Sequence, residues 1–391
     1  MHTVFFNAEI MPNRDKQCIN NVSTWGAKRV KQFVQDIHTV YGEKGLLAMG
    51  FWIATAFSHS IFEKYNFFPF LSLYGEPHTG KSTLTLLLNR CFFVNSEGLS
   101  MSKGSTLKGE QRQLAKKSGL VMPLLEFNNV ESSTFDLNML LGAYNRNAIS
   151  SRAAYSNDNK TIEIDLRCSL AFVQNFEPFK TSAQKERVIS LYFAEDSLDT
   201  SSEAFKRLTA YKPEELTGFG DFIFKHRAIF EPLLVMEIDA LSNDLMAGGV
   251  IVDRISKNHS IPFAGCWLLL KILDKRTGGS MLEDLKKDLL AYVVSVASKK
   301  CENAVSDLDV AEDFFGIVDA VENGHGVYRE ETELRINMTD TFTYLDKHHP
   351  NLIDRKQLYK ELERHSRFID KNKVIYLKAV SKKQKCWVFK L

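Results

Sequence analysis

"LYGEPHTGKSTLTLLL", residues 73–88, is the stretch on which the reading of this chain turns. Within it Gly75-Glu76-Pro77-His78-Thr79-Gly80-Lys81-Ser82 satisfies GxxxxGK[ST] at every fixed position. The apolar run just before, "FFPFLSLYG" (67–75), reads as a buried parallel strand that stops at a glycine. The run after it, "KSTLTLLLNRCFF", reads as a helix with Leu84, Leu87 and Leu88 on one side. Glycines in such a loop let successive backbone N–H groups turn inward around a phosphate at a helix N-terminus, where the dipole also favours an anion. Residues Gly75 to Ser82, with Thr83 following, therefore form a candidate cradle for ATP. Lys81 is placed to reach the β- and γ-phosphates, and the Ser82 hydroxyl to ligate Mg²⁺.

Hydrolysis needs more than the loop, beginning with a carboxylate on a neighbouring strand. The next apolar run, "GLVMPLLEFNN" (119–129), ends in Glu126, followed by Asn128 and Asn129 rather than a second acid. Glu126 is the candidate catalytic acid, either holding the metal or orienting water. Further on, "CSLAFVQN" reads as a buried strand that delivers Asn175, whose amide suits a γ-phosphate or an attacking water. Twelve residues later, in "KERVISLYF", Arg187 opens another apolar stretch and is a candidate arginine finger. Between the acid and Asn175, "SRAAYSNDNKTIEIDL" (151–166) has the pattern of a β-hairpin with its turn at Asn157-Asp158-Asn159-Lys160.

This order of phosphate loop, acid strand, hairpin, Asn-ended strand and Arg resembles the superfamily 3 helicases of the AAA+ class. The likeness is strongest to the primase-associated helicases of phages, plasmids and large DNA viruses. It spans roughly residues 40 to 200, most closely at "FPFLSLYG" with "TGKS" and at "ERVISLYF". The resemblance implies a hexameric ring that hydrolyses ATP at subunit interfaces and draws one strand of single-stranded DNA, or of a forked duplex, through its pore. It implies Gly75, Gly80, Lys81 and Ser82 as Walker A, Glu126 as Walker B, Asn175 as sensor 1, Arg187 as the trans finger and Lys160 as the pore residue. A primase or primase-polymerase, in trans or upstream in the native chain, is the partner it implies. The departure from the family is the single acid, which bears on the rate of hydrolysis; two alternatives stay open, an initiator or loader ATPase that does not unwind, and, should the missing acid abolish hydrolysis, a nucleotide-stabilised scaffold.

The flanks and the composition complete the expectation. With 391 residues, 44% of them apolar and 25% charged, the chain is long enough for two or three domains. Six scattered cysteines suggest neither disulfides nor zinc, and no leader opens the chain, so a cytoplasmic protein is expected. The apolar stretch "GLLAMGFWIATAFSHSIF" (45–62) is read as a buried helix rather than a membrane span. The expected architecture is α/β: a helical collar over 1–65, an AAA+ P-loop core over 66–200, a helical domain over 201–330 and a winged helix over 331–391.

Net charge is only +2, but residues 354–391 hold twelve Lys/Arg against four Asp/Glu, leaving the rest of the chain net acidic. In "DRKQLYKELERHSRFI", Asp354 is a plausible N-cap, and helical spacing puts Lys356, Lys360, Arg364 and Arg367 on one arc as candidate nucleic-acid contacts. Leu358, Leu362 and Ile369 fall on the opposite, docking side. The strands "KVIYLKAV" and "KCWVFKL", joined by "SKKQK", would form the wing.

Overall fold

The computed structural model describes residues 18–391 except 101–113, 115–116, 126–141, 147, 154–160, 180–181, 195–199, 279–281, 307–309, 322, 331, 349–354 and 378–379. Glu126 and Lys160 lie outside the described residues. The chain divides into two compact units, Met1–Cys301 and Glu302–Leu391.

The first unit is built on a five-stranded parallel sheet in the order β2-β3-β6-β1-β7. Its strands are β1 (Phe70–Gly75), β2 (Leu99–Ser100), β3 (Ser118–Leu125), β6 (Arg167–Gln174) and β7 (Val188–Phe193). Continuous apolar runs mark strands buried on both faces, as in "FLSL" and "LAFV". β1 pairs with β6 on one side and β7 on the other. The strand that leads to Glu126, β3, is therefore not a direct neighbour of β1, because β6 lies between them. An antiparallel ribbon, β4 (Ala148–Ala153) with β5 (Thr161–Asp165), forms the arms of the hairpin expected from the sequence.

Helices cover this sheet. α1 (Ala27–Ala56) and α2 (Ser58–Tyr65) precede it, and α3 (Lys81–Cys91) follows β1. A short α4 (Ser182–Lys185) leads into β7. After β7 come α5 (Glu203–Ala210), α6 (Pro213–Lys225), α7 (Arg227–Ala247), α8 (Asp253–Thr277) and α9 (Leu282–Ser306). The apolar stretch 45–62 falls in α1 and α2, which bend by 80° at their junction, and Leu46, Leu47, Phe51 and Ile53 are completely buried. Among the described residues no single helix is long and apolar enough to cross a membrane.

α1 crosses α8 at a pair of glycines. A Cβ on Gly50 would stand 2.0 Å from the Pro262 carbonyl oxygen, and one on Gly265 would stand 2.4 Å from that of Gly50. α1 also holds α3: the buried Trp52 Nε1 donates to Asn89 Oδ1 at 3.0 Å, and Asn89 Nδ2 donates to Ser96 O at 2.7 Å. The helix that presents the phosphate loop is thus fixed from behind by a satisfied buried amide.

The second unit sets α10 (Val310–Ala320), α11 (Met338–His348) and α12 (Arg355–Arg364) with a four-stranded antiparallel sheet. The strands β8 (Val327–Glu330), β9 (Glu333–Ile336), β10 (Phe368–Leu377) and β11 (Lys382–Lys390) run in the order β10-β11-β9-β8. Phe314, Phe315, Leu334, Ile336, Leu358, Leu362 and Phe389 build its core. None of the six cysteines is in a disulfide, and all but Cys18 are buried.

Two expectations for this end are corrected. The helix stops at Arg364, so Arg367 and Ile369 do not continue its faces. The reason is a turn at 365–367, in which Phe368 N donates to His365 O at 3.0 Å and Arg367 N to His365 Nδ1 at 3.2 Å. The β-rich run from Phe368 then pairs with β11, and Ile369 is 43% exposed. "SKKQK" is also not a loop: Lys382 to Lys385 belong to β11.

Candidate active site

β1 ends at Gly75, and the loop from Glu76 to Gly80 leads into α3 at Lys81. Gly75 has φ +131°, and a Cβ there would lie 2.1 Å from the Phe193 carbonyl oxygen, which instead accepts the Glu76 N–H at 3.0 Å. Only glycine allows this approach to β7. Gly80, at φ +80°, caps the helix from the left-handed region, while Glu76, Pro77 and His78 face solvent.

Lys81 is the centre of the arrangement. It is 6% exposed, and its Nζ donates to Gly75 O at 2.9 Å, Glu76 O at 2.5 Å and Thr79 Oγ1 at 3.1 Å. The buried Thr79 hydroxyl in turn donates to Glu76 O at 2.9 Å. All three ammonium protons are used by the loop itself, so the charge is held beside the turn that would wrap a phosphate. Burial pushes the Lys81 pKa down, opposed by the Glu76 carboxylate.

A cavity of about 190 Å³ opens beside Lys81 and Ser82. Glu97, Leu125, Val173, Gln174 and Asn175 also line it. Leu125 and Val173 are paired in the sheet, so the ends of β3 and β6 reach the cavity together. Ser82 is exposed toward solvent and lines the cavity beside Lys81. Asn175 is exposed just beyond β6. Gln174 is the functional candidate that the sequence reading missed. It is 4% exposed, and neither its Nε2 nor its Oε1 has a hydrogen-bond partner. Its only sequence signal was an amide directly before Asn175 at the end of an apolar strand.

Arg187 is elsewhere. Phe70 pairs with Val188 and Gly75 with Phe193, so Arg187 precedes the end of β7 opposite the phosphate loop. Five residue steps of extended strand, from Val188 to Phe193, separate the two ends, about 17 Å. Its backbone carbonyl accepts the Phe70 N–H at 2.9 Å. Its Nη1 donates to Ala183 O at 2.5 Å, its guanidinium lies 5.3 Å from the Tyr144 ring centroid, and its Nε is buried without a partner. Arg254 is close by, paired with Glu186 at 3.0 Å. Burial first, and Arg254 second, lower the Arg187 pKa, although a guanidinium stays charged throughout the physiological range.

In the second unit Arg367 is engaged rather than free. Its Nη1 pairs with Asp319 at 3.2 Å, its Nε donates to Lys390 O at 3.0 Å, and it lies 4.4 Å from the Phe315 ring centroid. The side chains of Lys356, Lys360 and Arg364 are outside the described residues. Among the described residues of this unit, the paired strands β10 and β11 carry exposed lysines beside exposed apolar side chains. Val374 is opposite Lys385 and Tyr376 opposite Lys383, which places all four on one face. Val374 is 66% and Tyr376 53% exposed.

No family model and no curated protein matches the chain. Among solved structures, the active helicase Cch of SCCmec type IV aligns over 92% of this chain and 69% of its own, with 13% identity and a TM-score of 0.54. The apo C-terminal region of NrS-1 aligns over 70% and 72%, with 14% identity and a TM-score of 0.27. A ligand-bound JCV helicase aligns over 74% and 71%, with 10% identity and a TM-score of 0.24. At such low identity the Cch alignment is a likeness of fold, and this chain has a helicase-like fold with a parallel sheet and a P-loop.

Proposed function

We propose that the chain is an ATP-driven DNA helicase of the superfamily 3, AAA+ type, from a phage or mobile element, working as a ring on single-stranded DNA during replication. The observation that carries this reading is the buried Lys81, held by Gly75, Glu76 and Thr79 beside a cavity lined by Gln174 and Asn175. That arrangement suits the phosphates of ATP, and phosphoryl transfer depends mainly on such positioning and electrostatic groups. In this reading Ser82 and Glu126 hold Mg²⁺, which would neutralise phosphate charge, and Asn175 senses the nucleotide. Arg187, at the far end of the sheet, is out of reach of its own loop and serves the site of a neighbouring subunit, which is why we favour a ring, with six as the expected number.

The partner is a nucleic-acid strand, gripped by Lys160 at the hairpin tip and by a winged-helix-like second unit. Tyr376, Val374, Lys383 and Lys385 give that unit an exposed aromatic and cationic face, suited to backbone and base contacts that do not depend on sequence. Lys356, Lys360 and Arg364 remain candidates there. A primase or primase-polymerase acts alongside the motor, in trans or from an upstream part of the native chain.

The test is steady-state ATP turnover with and without single-stranded DNA, followed by unwinding of a forked duplex. DNA should stimulate turnover, and Lys81→Ala should lower it by about 10²-fold or more. Turnover indifferent to DNA, with no strand separation, would remove the motor and leave a nucleotide switch.

A further inference from the structure

We infer that the Gln174 side-chain amide binds the terminal phosphate of the nucleoside triphosphate; the inference rests on the ATP-site reading above. The first observation is the cost of the side chain where it stands. Gln174 is 4% exposed, and both ends of its amide are buried without a partner. A primary amide offers two donors and an acceptor with two lone pairs, and burying these unpaired opposes folding. An apolar side chain of similar volume would avoid that penalty. Groups that are unfavourable for the empty fold and sit in a binding cavity are the pattern expected of ligand contacts.

The second observation is where the amide is. Gln174 pairs with Tyr74, the residue before Gly75, so it sits beside the strand that feeds the phosphate loop. It lines the same cavity as Lys81 and Ser82. The loop N–H groups and the start of α3 are the natural seat of a β-phosphate. The cavity extends from Lys81 and Ser82 to the end of β6, and the group that lies beyond the β-phosphate in a triphosphate is the γ-phosphate. The neutral Nε2 can donate to that anion in a site shielded from water, whereas a carboxylate at the same place would repel it.

The experiment compares the full chain with Gln174→Leu and measures three quantities: thermal stability without nucleotide, affinity for Mg-ADP, and affinity for Mg-ATPγS. The empty variant should melt at the same temperature as the parent or higher. ADP should bind within about twofold of the parent, and ATPγS about tenfold more weakly. Gln174→Met, unbranched and nearly isosteric, carries the same expectation if the leucine variant does not fold. Gln174→Glu should weaken ATPγS further while sparing ADP. Equal binding of both nucleotides by the parent and the Leu or Met variant would overturn the inference, because the amide would then contact neither. An equal loss of both would also overturn it, assigning Gln174 to the shape of the loop. A parent protein that binds neither nucleotide would bring down the ATP-site reading itself, a result separate from either of these.

Discussion

The two ends of the central parallel sheet do opposite things with charge. At the end where β1 and β6 stop, Lys81 is satisfied by its own loop, and a cavity with an unpartnered Gln174 amide lies beside it. At the other end, Arg187 is half-buried among Ala183, Tyr144 and the Arg254–Glu186 pair, with its Nε unpartnered. The first end sets its cation inside a P-loop at the start of a helix. The second holds a cation too far along the sheet to reach that loop within the same chain.

The strongest test of this contrast is Arg187→Ala. Turnover should fall by about 10³-fold while ATP affinity stays near that of the parent, and mixtures with the parent should lose more activity than their composition predicts. If the variant lost nucleotide binding instead, or if mixtures were simply additive, the assignment of the two ends to different subunits would fail.

A smaller effect concerns buried groups near the Arg187 end. Lys300 on α9 donates to Val188 O and, at 2.7 Å, to Ser190 Oγ, while Ser190 donates to Glu177. Burial pushes the Lys300 pKa down to about 8, and burial first and Lys300 second push that of His259 down to about 3. Between its ordinary 6.5 and about 3, the unfolded chain takes up a proton at His259 that the folded chain refuses. Stability should therefore fall as pH drops through that window, by up to about 1.4 kcal/mol per pH unit from this residue. The Lys300 shift acts at alkaline pH, where stability should rise between about 8 and 10.5 because the folded chain has given up a proton that the unfolded chain still holds. Denaturant titrations from pH 7 to pH 4 on the parent and on His259→Leu check the first part; parallel curves would remove His259 as the cause.

The smallest effect lies in the second unit. Lys383→Ala with Lys385→Ala should lower the salt slope of single-stranded DNA binding by about 1.4, or about 0.7 per phosphate contact. An unchanged slope in a salt series would move the contacts off the β10–β11 face.

Legibility followed the same contrast. The core strands could be read because each is an apolar run long enough to cross a sheet, and the phosphate loop because its glycines sit at fixed points. The order of strands could not: nothing in "GLVMPLLE" says that β6 separates it from β1. Gln174 was hidden because its interest lies in being buried without a partner, which composition does not encode. Arg367 was misplaced because a 100° periodicity was carried through His365, where local hydrogen bonds end the helix and begin a strand.

The glycine crossing of α1 and α8 limits how this protein can drift. Each missing Cβ faces backbone, Pro262 O and Cys266 N for Gly50, Gly50 O and Ala54 N for Gly265. A larger residue at either position cannot be compensated by shrinking a side chain opposite, since no side chain is there to shrink. Relatives that keep this helix contact should therefore hold both glycines together, or lose both along with the contact, with no neutral path of single replacements between the two.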